Sequence, residues 1–153
     1  MGLLLDFYAG DASVLGAAYN AGDVASVRAA AKAHADFSLH LSPNDLDILS
    51  EEAFAMTGGE PVGLLESLVG NVGGDGAESS ADTLSEIWVA GFASFPEERV
   101  KELAERWMRG VAADRGQPEA VVTPDVLQAI RQLIAVCQTA KQHCLDVVHT
   151  WSL

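Results

Sequence analysis

Positively charged residues are scarce in this chain, and they are scarcest in its first two thirds. The 153 residues include 22 Asp and Glu but only 9 Lys and Arg, which gives a formal net charge of −13. Residues 1–100 hold sixteen of the acids and three of the bases, whereas residues 101–153 hold six of each. Such an acidic chain disfavours nucleic acid and anionic membranes as partners, and it favours either a basic protein partner or simple solubility.

Aromatic residues are also few, at 7%, although 49% of the residues are apolar. This apolar fraction is typical of a globular protein with a core and excludes a disordered chain. Leu, Val and Ile should therefore fill most of the core of a single globular domain covering residues 1–153. The large side chains expected to anchor this core are Trp88, Trp107, Trp151, Phe54, Phe92 and Phe95.

Long apolar runs are absent. The start Met-Gly-Leu-Leu-Leu has no basic segment and is interrupted at Asp6, which does not fit a signal peptide. Asp6 also stands where N-myristoylation requires Ser or Thr. No stretch approaches the ~20 apolar residues that span a bilayer. These features predict a cytoplasmic protein.

The hydrophobic periodicity predicts a helix-rich α+β domain. About six helices should pack on one face of a small, mainly antiparallel sheet that includes the N- and C-terminal strands. The alternating pattern predicts strands at about 2–8, 37–42 and 145–153. The three- and four-residue spacing of apolar side chains predicts the main helices at about 12–20, 24–35, 43–57, 82–93, 95–113 and 124–143.

The segment between residues 58 and 82 is rich in glycine. It holds seven of the fourteen glycines, and Leu64 to Val69 suggests one short helix within it. The rest, about 70–82, is expected to be a flexible acidic loop. After the next helix, Ser94 and Glu97 have the spacing of a capping box.

No catalytic, cofactor or metal motif stands out. The glycine run at 70–76 lacks the lysine of a phosphate-binding loop and contains Asp75. The four histidines have no zinc-binding spacing. Cys137 and Cys144 lie roughly 10 Å apart along one predicted helix, beyond disulfide reach, and suit a core better than a redox pair. We therefore assign no catalytic residue, cofactor or metal ligand, and the sequence favours a non-enzymatic role over an enzymatic one.

His149 is the most unusual residue in the pattern. The alternation of the last strand places it on the apolar side, between Val147 and Trp151. A core histidine with one nitrogen bonded to a carbonyl would explain it. The alternative is a small-molecule or catalytic pocket formed by His149, Trp151 and His40.

An acidic run on the third predicted helix supplies a candidate partner-binding surface. Its members are Asp45, Asp47, Glu51 and Glu52. The preferred hypothesis is a non-enzymatic protein that recognises a basic partner through such a surface, as an inhibitor or immunity protein would. The alternatives are the pocket described above and a structural subunit of an assembly.

Overall fold

The structure is a computed structural model that describes residues 3–153, so Gly2, where the first predicted strand begins, lies outside it. Its centre is a five-stranded sheet in the order β2-β1-β5-β4-β3, and every neighbouring pair is antiparallel. The terminal strands lie side by side in the middle, which confirms the predicted fold class. The strands are β1 (Leu4–Gly10), β2 (Ala33–Asp36), β3 (Leu68–Gly73), β4 (Ser79–Leu84) and β5 (Asp146–Ser152).

Six α-helices pack on this sheet, together with short 3-10 helices at Leu65–Ser67 and Glu97–Arg99. Among the described residues, no helix is both long and apolar enough to cross a membrane. The helices are α1 (Ala12–Asn20), α2 (Val24–Ala30), α3 (Pro43–Met56), α4 (Glu86–Ala93), α5 (Val100–Asp114) and α6 (Pro124–His143).

Side-chain caps begin several helices where the sequence predicts them. The Asp11 carboxylate accepts a hydrogen bond from the Val14 amide at 3.0 Å and caps α1. At the start of α3, Ser42 and Asp45 form a reciprocal capping box. These local signals explain why α1, α3 and α6 lie close to their predicted bounds.

The sheet carries helices on both faces, whereas the sequence pattern suggested one. Side chains alternate between the two sides along each strand. One side carries Phe7 and Val147 and packs under α3–α6 in the main core; we call it the core face. The other side carries Tyr8 and Val148 and is partly covered by α1 and α2; we call it the open face.

The core anchors behave largely as predicted. The side chains of Trp88, Trp107, Phe92 and Phe95 are buried in the main core. Phe54 and Trp151 pack against it with part of their surface exposed.

The second strand begins earlier in the chain than predicted. The helix expected at 24–35 ends at Ala30, and β2 follows at Ala33–Asp36, where it pairs with β1. The predicted strand at 37–42 is wrong, because Phe37 and Leu41 enter the core from a loop. His40 in that loop has a φ of 59°, which breaks extended structure. An alanine-rich segment is compatible with both helix and strand, so the sequence pattern does not show where the helix ends and β2 begins.

The glycine-rich segment forms a β-hairpin where a loop was predicted. β3 and β4 pair across it with two register irregularities, and the apolar cluster at 64–69 forms a 3-10 turn and the start of β3. Because Gly, Ser and Asp are poor strand formers, the sequence pattern does not indicate these two strands. At the tip, the Asp75 carboxylate accepts three backbone N–H groups.

The predicted capping box at Ser94 does not form. The Ser94 hydroxyl donates to the Ala90 carbonyl and so closes the end of α4. A 3-10 turn at Glu97–Arg99 precedes α5, and its start has no side-chain cap.

Gly16 holds α1 against β3. A Cβ on Gly16 would lie 2.4 Å from the backbone carbonyl oxygen of Val72. We therefore predict that Gly16→Ala lowers the free energy of unfolding by about 1–3 kcal/mol, although alanine normally stabilises a helix. Urea denaturation measures this change. The control Ala17→Gly, at an exposed position, should cost only about 1 kcal/mol. A stabilised Gly16→Ala variant would contradict the close approach.

Candidate functional site: a cleft on the open face

A cleft of about 360 Å³ lies between the open face and the α1–α2 pair. Strands β1, β4 and β5 and the end of β2 form its floor. The end of α1, the turn at residues 21–23 and the first half of α2 form its roof. We call it the open-face cleft. The lining residues on which its chemistry depends are Asp6, Tyr8, Asp36, Thr150, Tyr19 and Arg28.

Three floor residues form one row across neighbouring strands. The sheet register places Asp6 opposite Asp36 on one side and opposite Thr150 on the other. Directly opposite residues in an antiparallel pair have Cβ atoms about 4.5–5.5 Å apart and share a face. Like charges at that spacing destabilise the sheet. Two carboxylates are therefore held side by side in a cleft that a ligand can enter.

His34 in β2 orients one of these carboxylates. Its Nε2 lies 2.6 Å from Asp6 Oδ1, and its ring stacks on Tyr8 with 4.8 Å between centroids. Asp6 is only 8% exposed, and its Oδ2 accepts no hydrogen bond from residues 3–153. Thr150, which is 5% exposed, lines the cleft beside Asp6 from the neighbouring strand. The cleft thus presents Asp6 Oδ2 and the Thr150 hydroxyl as acceptors for an incoming group.

The pKa values of the two tyrosines that line the cleft reflect their burial and the charges around them. Burial, together with the charge of Asp6, raises the pKa of Tyr8 from 10.0 to about 12, although interaction with Arg28 acts in the opposite direction. Burial also raises the pKa of Tyr19, assisted by the charges of Asp75 and Asp6. Carboxylates therefore oppose a new negative charge at either phenol.

Titration of the tyrosines tests this description. Tyr8 and Tyr19 are the two tyrosines of the chain. In the Tyr19→Phe variant, we expect Tyr8 to ionise at about pH 12 in the folded protein and at its ordinary pKa of 10.0 in urea. Ultraviolet absorbance of the phenolate measures this, with circular dichroism confirming that the protein stays folded. Ionisation of Tyr8 near pH 10 in the folded protein would contradict its burial beside Asp6.

The acidic run predicted as a partner-binding surface does not form one free patch. Asp45 is 1% exposed, and its carboxylate contacts Arg115 at 2.5 Å. Asp47 accepts the backbone N–H at the start of the first 3-10 helix, and Glu52 pairs with an arginine of α5. Glu51 alone is exposed without an ion pair to a described residue. Most of these charged side chains therefore contact other residues of the protein and do not form a free surface for a partner.

The residues predicted to form a pocket do not meet. His149 is 1% exposed and stacks on Phe7 on the core face, with 4.6 Å between ring centroids. Its Nδ1 lies 3.1 Å from the Asp6 carbonyl oxygen. Neither His149 nor Trp151 lines the open-face cleft, and His40 borders a separate cavity. The cleft lies on the opposite side of the same strands.

The cleft is suited to binding a polar or charged group. It combines carboxylates, hydroxyls and one guanidinium with the apolar side chains of Leu4, Val24 and Val27. The described residues contain no group of three or more His, Cys, Asp or Glu that could hold a metal ion. Neither cysteine lines the cleft, and burial strongly raises the pKa of the Cys137 thiol.

Comparison of the chain with models of protein families, with curated proteins and with solved structures finds no match.

Proposed function

We propose that the protein is a non-enzymatic, cytoplasmic binding protein that recognises a basic protein partner through the acidic residues at the open-face cleft. The observation that carries this proposal is the placement of Asp6 and Asp36 side by side at an open cleft. A partner that brings positive charge would relieve their repulsion.

The surroundings of the cleft support the choice of a basic partner. Asp23 also lines the cleft, and Asp75 lies close enough for its charge to raise the pKa of Tyr19. Arg28 is the one lysine or arginine among the lining residues. Clustered charge of one sign steers an oppositely charged partner and raises its association rate.

An inhibitor or immunity protein is one specific form of this proposal. Such a protein would mask a basic surface of a toxin or enzyme. Cys137 is buried, Cys144 is exposed, and neither forms a disulfide, which suits the reducing cytoplasm.

Small-molecule binding is the alternative, and the cavity itself favours it. The volume of about 360 Å³ lies within the range of ligand sites, although toward its lower end. In this form the ligand would occupy the open-face cleft, since no cavity among those described borders His149.

Capture of partners from the lysate of the protein's own host tests the proposal. The wild type is compared at low and high salt with two triple variants that each remove three exposed negative charges. The cleft variant carries Asp36→Asn, at a lining residue, and Asp75→Asn and Glu78→Gln, in the β3–β4 turn that precedes the lining residue Ser79. The matched control carries Glu51→Gln, Glu60→Gln and Glu98→Gln, in the part of the chain that covers the core face.

We expect a basic protein to be retained at low salt by the wild type and by the control, and released at high salt. The cleft variant should lose it. A partner that both triple variants lose equally would indicate attraction by net charge alone. Failure to retain any basic protein would contradict the proposal.

A further inference from the structure

We infer that the open-face cleft is a binding site for an alkylammonium group, of the kind that ends a lysine side chain. The inference deepens the proposed function and rests on it for the source of that group. It assigns Asp6, Asp36 and Thr150 as the acceptors and the neighbouring apolar wall as the contact for the alkyl stem.

The acceptor set matches the geometry of an ammonium ion. An ammonium has three N–H donors and no acceptor. The cross-strand row offers Asp6 Oδ2, the Asp36 carboxylate and the Thr150 hydroxyl on one face of the sheet. Asp6 is 8% exposed, with 11% of its side-chain surface exposed, and Thr150 is 5% exposed. His34 occupies Asp6 Oδ1, so Asp6 Oδ2 and the Thr150 hydroxyl are the oxygens left for an incoming donor.

The network around Asp6 favours a cation over the other ligand classes. His34 holds Asp6 Oδ1 at 2.6 Å and fixes the carboxylate with Oδ2 free. The Asp36 carboxylate accepts the Ser38 amide at 2.8 Å, which holds it at the end of β2. An anion would meet two carboxylates here, and a metal ion would find fewer than three ligating side chains among residues 3–153. A single positive nitrogen between the two carboxylates satisfies both.

The apolar side chains of the cleft suit the alkyl stem that carries such a nitrogen. Leu4 enters from the floor, and Val24 and Val27 enter from α2. The Tyr8 and Tyr19 rings add aromatic surface, and a cation near such a ring is further stabilised. Lysine buries its methylene stem along apolar surface in the same way.

An NMR titration of the full chain with n-butylammonium at low salt tests the site. We expect saturable shifts of backbone amides confined to residues that line the cleft. Butan-1-ol, which has a similar stem and no charge, should produce none. Asp6→Asn and Asp36→Asn should each weaken binding about tenfold, and Thr150→Val a few-fold. The control Glu60→Gln, at an exposed residue outside the cleft, should bind as the wild type does.

The same spectra show whether each variant is folded. If Asp6→Asn proves unstable, the exposed Asp36 and the neutral Thr150→Val variant still test the row independently. Shifts spread over the acidic surface and insensitive to these substitutions would overturn the inference. So would the absence of saturable binding.

N-acetyl-lysine-N-methylamide distinguishes the two sources of the group. Binding of this compound as tightly as n-butylammonium supports a lysine side chain of a protein partner. Binding of n-butylammonium alone supports a free small amine, in which case the cleft is an ammonium site although the proposed protein partner fails. A protein that retains a basic partner but binds neither compound overturns the inference and leaves the proposed function standing.

Discussion

Lowering the pH from 6.5 to 4 should reduce the free energy of unfolding of His149→Leu by about 3 kcal/mol less than that of the wild type. Burial lowers the pKa of His149 from 6.5 to about 4, although the hydrogen bond to the Asp6 carbonyl and the charges of Asp82 and Asp6 act in the opposite direction. A carbonyl can only accept, so Nδ1 carries the proton. Nε2 is then an acceptor with no donor among the described residues.

The direction of the effect follows from which state takes up the proton first. Above pH 6.5, His149 is neutral in the folded and unfolded states, and pH does not affect stability through it. Between pH 6.5 and pH 4, the unfolded chain binds a proton that the folded protein excludes, so the free energy of unfolding falls as the pH falls. Below pH 4 the loss through this residue stops growing.

Urea denaturation of the wild type and of His149→Leu across this pH range measures the effect. The difference between the two free energies of unfolding should change by about 3 kcal/mol. The control His40→Asn replaces an exposed histidine with a residue that tolerates the left-handed backbone there. It should retain the pH dependence of the wild type. Parallel curves for the wild type and His149→Leu would contradict the burial of a neutral imidazole.

Trp107→Ala should lower the free energy of unfolding by about 3–5 kcal/mol, the largest loss expected from a single core substitution. The Trp107 side chain is fully buried in α5, and its ring lies 5.9 Å from that of Phe37. Its Nε1–H donates to the Asp45 carbonyl oxygen at 2.7 Å. The residue therefore joins α5 to the start of α3 by packing and by one buried hydrogen bond.

Trp107→Phe separates these two contributions. Phenylalanine keeps most of the apolar contact and loses the N–H donor, so it should cost about 1–2 kcal/mol. Ile87→Ala, at a side chain that is 77% exposed, should change stability by less than about 0.5 kcal/mol. Circular dichroism in urea measures all three. A Trp107→Ala variant as stable as Trp107→Phe would show that the indole is not packed as described.

The sequence predicts the fold best where a strong local signal is present. Helices α1, α3 and α6 begin at side-chain caps, and the terminal strands have strict alternation. Prediction from the sequence fails where the residue types are compatible with two kinds of secondary structure or favour neither. The alanine-rich segment before β2 is compatible with helix and strand, and the Gly, Ser and Asp of the β3–β4 hairpin suit neither.

The cleft could not be predicted because it depends on sheet register. The alternation places Asp6 and Thr150 on the side opposite Phe7 and His149, which makes that side polar. The apolar side of the same strands carries His149, which is buried in packed surroundings. Asp36 lies between the predicted helix at 24–35 and the predicted strand at 37–42, so the sequence pattern does not indicate its pairing with Asp6. Similarly, only the packing of α5 on α3 shows that Asp45 is used internally.

The most direct test of the proposed function is the rate at which a captured basic partner associates with the protein as salt rises from about 50 mM to about 500 mM. For the wild type and the Glu51, Glu60 and Glu98 control, we expect a fast association that slows steeply with salt. For the Asp36, Asp75 and Glu78 variant, association should already be slow at low salt and nearly independent of it. Equal rates and equal salt dependence for both triple variants would contradict recognition at the open-face cleft.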